Sequence, residues 1–169
     1  MFSWSSTSRR ILPAAVLISA LSTPALAQQS AVATLTVTFG GLAKLSFSTN
    51  AISFPDADPD TTPQIPSSPP AIVITAKARA TRLSAVALTV SASDELRAGV
   101  TTIPVSEISW TASGPGFVNG TLNRVAPQVV ASWPGSGVYT GTQQYVFANR
   151  WSHPTGHYSL TLTYTLSSP

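Results

Sequence analysis

The chain has 169 residues, no cysteine and a formal net charge of +3. Only 9% of its residues are charged, well below the ~25% of an ordinary globular protein. Two of its nine basic residues lie in a leader that we expect to be removed, which leaves seven basic against six acidic residues, or +1. The charge therefore gives no support to a nucleic-acid partner. Without cysteine, disulfides, thiolate nucleophiles and Cys-based zinc sites are excluded.

The N-terminal segment has the three parts of a secretory signal peptide. Two arginines precede an uncharged apolar run over residues 11–27, which closes on a small-residue A-x-A box. We therefore expect a signal peptide at residues 1–27 and a mature chain that begins at Gln28. No second apolar span follows, so we expect no stable membrane span after cleavage. The expected location is secreted, either extracellular or in the cell envelope of a bacterium.

The mature chain alternates apolar and polar residues nearly throughout, which is the period of half-buried β-strands. The alternation is clear over residues 34–39, and it is clearest over residues 158–166, where five apolar or aromatic positions alternate with Ser and Thr. Further strands are predicted in chain order at residues 42–47, 71–78, 83–92, 107–112, 121–125, 128–133 and 138–147. Short strands at regular spacing predict an all-β fold, a single Ig-like antiparallel β-sandwich over residues 28–169.

Three stretches interrupt this pattern. Residues 55–70 hold six prolines and three aspartates, and because proline cannot donate to a β ladder we predict a long loop or edge connection there. Residues 94–99 begin with aspartate and end with glycine, which predicts one helical turn. Asn119-Gly120, between two short apolar-polar runs, predicts a two-residue hairpin turn.

Side chains suited to acid–base or nucleophilic catalysis are scarce. The two histidines, His153 and His157, share a turn that contains proline and glycine, ahead of the last strand. No third zinc ligand accompanies them, and the chain lacks a G-x-S-x-G nucleophile elbow. We therefore expect a protein that is not an enzyme.

The three aspartates of the proline-rich loop, Asp56, Asp58 and Asp60, occupy alternate positions. Calcium takes oxygen ligands supplied in this way, although the glycine and the distal glutamate of an EF-hand are missing. Two interpretations stay open, a Ca²⁺ site at these residues and a solvated acidic loop that holds no metal. No other cofactor is expected.

Aromatic residues concentrate in the C-terminal half of the chain. Trp and Tyr rings stack on sugars and anchor protein contacts, so these residues are candidates for ligand binding. Trp110 lies within an alternating strand and is predicted to belong to the core. Trp133 and Trp151 lie at predicted strand ends and are the candidates for exposed, ligand-binding tryptophans. No basic stripe accompanies them, which argues against single-stranded nucleic acid.

The last strand carries a pattern found in a known family. Residues 156–166 read GHYSLTLTYTL and are followed by a nearby proline. This stretch resembles the closing strand of the WxL domain family of bacterial cell-surface proteins, with Tyr164 and Leu166 at the Trp and Leu positions. A stretch after Arg82, with Val86 at a tryptophan position, is similar to the family's first motif.

The resemblance implies a secreted β-sandwich held non-covalently at the cell surface. It implies cell-wall polysaccharide or surface proteins as partners, and Tyr164 and Leu166 as binding residues. Our first hypothesis is therefore a non-enzymatic surface module that acts by adhesion or wall association.

Two alternative functions follow from other parts of the chain. The alternating run at residues 34–39 and the Tyr-rich last strand resemble those of fimbrial subunits, in which one molecule's N-terminal strand completes its neighbour's sheet. That resemblance implies a self-associating structural subunit of a pilus or secreted fibre. A carbohydrate-binding module is a further alternative, and it rests on Trp133, Trp151 and the acidic loop.

Overall fold

A computed structural model describes residues 34–82 and 84–168 of the chain. The signal peptide expected at residues 1–27 lies outside the described residues. Contacts group the chain into two units, Met1–Val37 and Thr38–Pro169. The strands described below belong to the second unit.

The strands in chain order are β1 (Leu42–Phe47), β2 (Gln64–Pro66), β3 (Ile72–Arg79), β4 (Ala85–Ala92), β5 (Leu96–Ala98), β6 (Thr101–Ile103), β7 (Ile108–Ser113), β8 (Gly120–Thr121), β9 (Gln128–Pro134), β10 (Gly137–Ala148) and β11 (Leu162–Ser167). A 3₁₀-helical turn at Val105–Glu107 precedes β7. Within the described ranges, no helix is long and apolar enough to cross a membrane.

The strands build two antiparallel sheets. The larger sheet has the order β1-β3-β10-β7-β8, and β2 pairs with the end of β10 beyond β3. The smaller sheet has the order β11-β4-β9, and β5 and β6 form a separate hairpin. Apolar side chains from both sheets meet in one buried cluster. The chain is therefore an all-β antiparallel sandwich, as the alternating sequence predicted.

Period-two alternation explains the core. Along β3 the buried residues are Ile72, Ile74, Ala76 and Ala78, and the residues between them are exposed or half-exposed. The facing strand β4 buries Val86, Leu88 and Val90 completely. Each fully buried Val, Leu or Ile contributes about 1.5–3 kcal/mol relative to an exposed one, so this strip is the main source of stability.

Two predicted turns are wrong, and the strand predicted at residues 121–125 is limited to β8, Gly120–Thr121. Residues 94–99 form no helical turn, because Leu96 is buried in a hairpin of β5 and β6 and Gly99 makes the turn at φ +60°. Asn119-Gly120 is not a hairpin turn, because the Asn119 side-chain oxygen accepts a hydrogen bond from the Ala112 backbone at 2.8 Å. The residues around Asn119 serve instead to join the two sheets.

One side of the sandwich is closed by residues 114–122. This segment bonds to β9 through the Val118 amide and the Val130 carbonyl, at 2.9 Å, and through the Ser132 amide and the Gly116 carbonyl, at 3.0 Å. Its end forms β8, which pairs with β7. Gly116 has φ +80°, and a Cβ there would collide with the Trp133 ring, so glycine is required for this close approach.

Candidate functional site at an open sheet edge

On the opposite side of the sandwich, no such closing segment is present among residues 34–82 and 84–168. There β1 ends the larger sheet and β11 ends the smaller one, and each has a single strand neighbour among the described residues. The two strands approach through the Phe47 and Tyr164 rings, whose centroids are 4.9 Å apart. Just beyond the end of β11, Ser168 Oγ donates to the carbonyl of Arg79, the last residue of β3, at 2.9 Å. Unpaired strand edges are templates for a further strand. We call β1 and β11 together the open edge.

Burial falls off toward the open edge. The inward side chains of β1 and β11 are only half-buried, and they are Leu45, Phe47, Leu162, Tyr164 and Leu166. One strand further in, Ile74, Ala76, Leu88 and Val90 are 0% exposed. The core is therefore complete at the centre of the sheets and incomplete along the open edge.

Residues 34–39 precede β1 and keep the pattern of a half-buried strand without forming one. Leu35, Val37 and Phe39 alternate with threonines, and they are 88%, 64% and 73% exposed. The strand predicted here is wrong for the single chain, because no described strand pairs with it. We call residues 34–39 the donor segment. Its length of six residues equals that of β1 and of β11.

Tyr164, a predicted wall-binding residue, points into the sandwich. Its hydroxyl donates to Gln143 Oε1 at 2.7 Å, and the Tyr145 hydroxyl lies 3.3 Å from the same oxygen. The two hydroxyls also bond to each other. Gln143 is fully buried, so these three side chains form a polar network inside an apolar core. Leu166 likewise faces inward and is half-buried.

Gln143→Leu is expected to destabilise the fold by about 1–3 kcal/mol, because the two buried hydroxyls then keep only each other as hydrogen-bond partners. The loss is limited because Gln143 Nε2, which the substitution also removes, is buried without a partner among the described residues. The same substitution combined with Tyr145→Phe and Tyr164→Phe should recover most of the loss, since no polar group is then left unpaired. Urea unfolding of the three chains measures both effects. A triple variant as unstable as Gln143→Leu would contradict this interpretation of the network.

The network also makes stability depend on alkaline pH. Burial raises the pKa of the Tyr164 hydroxyl to about 12 and raises the pKa of Tyr145 further still. An unfolded tyrosine loses its proton near pH 10. The contribution of the buried, protonated Tyr164 to the stability of the fold is therefore present below pH 10 and is lost as the pH rises from 10 toward 12. One such group is worth roughly 3 kcal/mol over that interval. Urea unfolding should show a smaller free energy of unfolding at pH 11 than at pH 8, and Tyr164→Phe should make this difference smaller. An equal difference in the unmodified chain and in Tyr164→Phe would refute the assigned role of Tyr164.

Trp133 is not the exposed residue that the sequence predicted. It is 3% exposed, stacks on Tyr139 with the centroids 4.6 Å apart, and donates its Nε1 hydrogen to the Pro115 carbonyl at 2.7 Å. The reason is a β-bulge between β4 and β9. Val130 and Ala131 are both buried, so the alternation shifts by one residue and Trp133 turns inward. Trp110 is buried, as predicted.

Trp151 is exposed, as predicted, with 72% of its surface accessible. Its Nε1 donates to Asp60 Oδ1 at 3.0 Å, which fixes the indole beside the acidic loop. The loop is held in turn by Asn149, whose side-chain nitrogen donates to the Ala57 carbonyl at 2.9 Å and to the Thr62 carbonyl at 3.1 Å. Sequence reasoning missed Asn149, since nothing in its local pattern shows a contact with this loop.

The aspartates of this loop are not gathered into a metal centre. Asp58 Oδ1 accepts from the Asp60 amide at 3.0 Å, a contact within the loop, and Asp60 faces Trp151. In the part of the chain that the structure describes, no group of three His, Cys, Asp or Glu side chains is placed to hold a metal ion. The side chains of Asp56, Asp58 and Asp60 are all exposed.

Three ion pairs leave the remaining charges in two separate groups. Arg97 pairs with Asp94, Arg124 with Glu95 and Arg150 with Glu107. The basic residues outside these pairs are Lys44, Lys77, Arg79 and Arg82, and the acidic ones are Asp56, Asp58 and Asp60; all are exposed.

Comparison with known proteins identifies no relative, because no family model, curated protein or solved structure matches the chain.

Proposed function

We propose that the chain is a non-enzymatic, secreted surface module whose copies join by strand addition into a fibre. The observation that carries the proposal is the combination of the donor segment, an exposed alternating strand sequence, with a core that is incomplete along an edge of the same length. The donor segment of one copy adds to the open edge of the next. Its backbone pairs with an unpaired strand edge, and its apolar side chains extend the core.

The expected energy of one such contact is modest. Burying Leu35, Val37 and Phe39 contributes about 5–9 kcal/mol in total, and association costs about 4–15 kcal/mol before any ladder bonds are counted. Assembly should therefore depend strongly on protein concentration. It should also be sensitive to the loss of a single apolar side chain of the donor segment.

Co-sedimentation separates this function from wall association. The full chain is expressed, its exported product is purified, and the product is centrifuged with and without insoluble bacterial cell walls. Fibre assembly predicts pelleting without walls, as regular filaments in electron micrographs and only above a threshold concentration. Pelleting only with walls would favour the WxL-like function, and a chain that stays soluble in both tubes at high concentration would refute both.

A further inference from the structure

A mixed apolar and basic groove lies on the outer face of the larger sheet. Lys44 and Lys77 are directly opposed across β1 and β3, and Val138 of β10 is opposed to Lys77. Together with Leu42 and Arg79 they line a shallow groove of about 480 Å³. We call it the basic groove. Leu42 and Val138 are 51% and 66% exposed, which is unusual for apolar side chains on a solvent face.

The opposite end of the sandwich presents the complementary chemistry. Asp56, Asp58 and Asp60 are exposed there beside the exposed indole of Trp151. We call these four residues the acidic corner. Val138, the second residue of β10, lies in the basic groove, and Asn149, which anchors the acidic loop, directly follows the end of the strand. An extended chain of that length puts the two features roughly 35 Å apart, so the unpaired charges lie at the two ends of the domain.

The donor segment is connected to β1 at the end of that strand that lines the basic groove. Gly40 and Gly41 alone separate Phe39 from Leu42, which lines the groove. The Phe39 ring itself lies over the Arg79 guanidinium at 5.0 Å. Three residues span at most about 10 Å. Any copy that accepts Phe39 is therefore held within about 10 Å of Leu42, close to the groove.

We propose that the basic groove of one copy receives the acidic corner of the next copy, so that the fibre grows head to tail. This inference rests on the proposed function, since strand addition brings the second copy to the groove. The indole of Trp151 packs on Leu42 and Val138, and the aspartates face the lysines.

Charge balance favours a second copy over a polyanion as the occupant. Outside the three ion pairs, the described residues hold four basic and three acidic side chains, so one end of the molecule nearly neutralises the other. A polyanion-binding protein typically carries a net excess of basic residues, whereas this chain has +1 without its leader. Oriented opposite charges also steer encounters, with rates raised 10-fold to 1000-fold at low salt.

Charge reversal tests the inference. We would compare the light-scattering assembly rate of the unmodified chain with those of Lys77→Glu and Asp60→Lys at low salt. Each variant alone should assemble at least about 10-fold more slowly, because the reversal takes the net charge of its surface from three to one and so weakens the attraction across the contact. An equal mixture of the two should recover most of the rate, since copies can alternate. The control is the double variant Thr111→Glu/Ser113→Glu in β7, on the outer face of the same sheet but away from the basic groove. It changes the net charge by the same amount as Lys77→Glu and should assemble normally.

The outcomes separate this contact from strand addition. If the unmodified chain assembles and both reversed variants assemble equally fast, the head-to-tail contact is refuted while strand addition stands. If Lys77→Glu slows assembly but the mixture does not recover, the groove binds something other than the acidic corner and the inference is also refuted. Loss of binding to anionic phospholipid vesicles in Lys77→Glu, with assembly unchanged, would assign the groove to a polyanion. If the unmodified chain does not assemble at all, the proposed function itself fails first.

Discussion

Val37→Asp is expected to abolish assembly and to leave the melting temperature of the domain unchanged. Val37 is 64% exposed in the single chain, so the substitution removes little buried apolar surface. In the assembled state, alternation turns Val37 toward the neighbour's core, where an unpaired carboxylate costs several kcal/mol. That cost is comparable with the whole expected gain from burying the donor segment. Analytical ultracentrifugation and filament counts measure the effect.

Thr36→Asp is the matched control. It introduces the same charge one residue away, on the side of the donor strand that alternation turns toward solvent. Assembly should persist, with a threshold concentration within a few-fold of the unmodified chain. If Thr36→Asp and Val37→Asp abolished assembly equally, the cause would be charge and not strand insertion, and the proposal would be wrong.

Trp133→Ala is expected to destabilise the domain by about 3–5 kcal/mol, the usual cost of removing a buried Trp. The substitution deletes the stack on Tyr139 and leaves the Pro115 carbonyl without its donor. For a domain of this size that corresponds to a fall of about 10–20 °C in melting temperature. Trp151→Ala, at 72% exposure, should change stability by less than about 0.5 kcal/mol. Thermal unfolding followed by circular dichroism compares the two.

The same contrast decides how a sugar-binding function would be tested. A Trp133→Ala variant that loses glycan retention would report a damaged core, so only Trp151→Ala examines the surface. Similar small losses of stability in both variants would contradict the burial of Trp133 and reopen it as a ligand contact.

The central strands and the sandwich itself were predictable from the sequence, because alternation over residues 71–78 and 83–92 leaves one apolar face that only a second sheet can bury. Leu88 and Trp110 are core residues for the same reason. The face of Trp133 was not predictable, since a single bulged residue in β9 reverses the alternation beyond it. Local patterns do not show where such a bulge occurs.

The charged surfaces depend on pairing between distant strands. Lys44 and Lys77 meet only because β1 and β3 pair in one register, and Asn149 reaches the acidic loop only after β10 has crossed the sheet. The donor segment differs from both cases. Its alternation correctly indicates a strand sequence, but no described part of its own chain supplies a partner.

Disulfide trapping tests strand addition most directly. The chain has no cysteine, so two single-cysteine variants can be mixed and oxidised with only the introduced thiol on each copy. Val37→Cys on one copy should cross-link to a copy that carries Leu45→Cys, Leu162→Cys or Leu166→Cys, because directly opposed residues on adjacent strands lie within disulfide range. Thr36→Cys should not cross-link to these inward positions. Efficient cross-linking from Val37→Cys alone is the result that strand addition predicts, and equal cross-linking from both positions, or none from either, would contradict it.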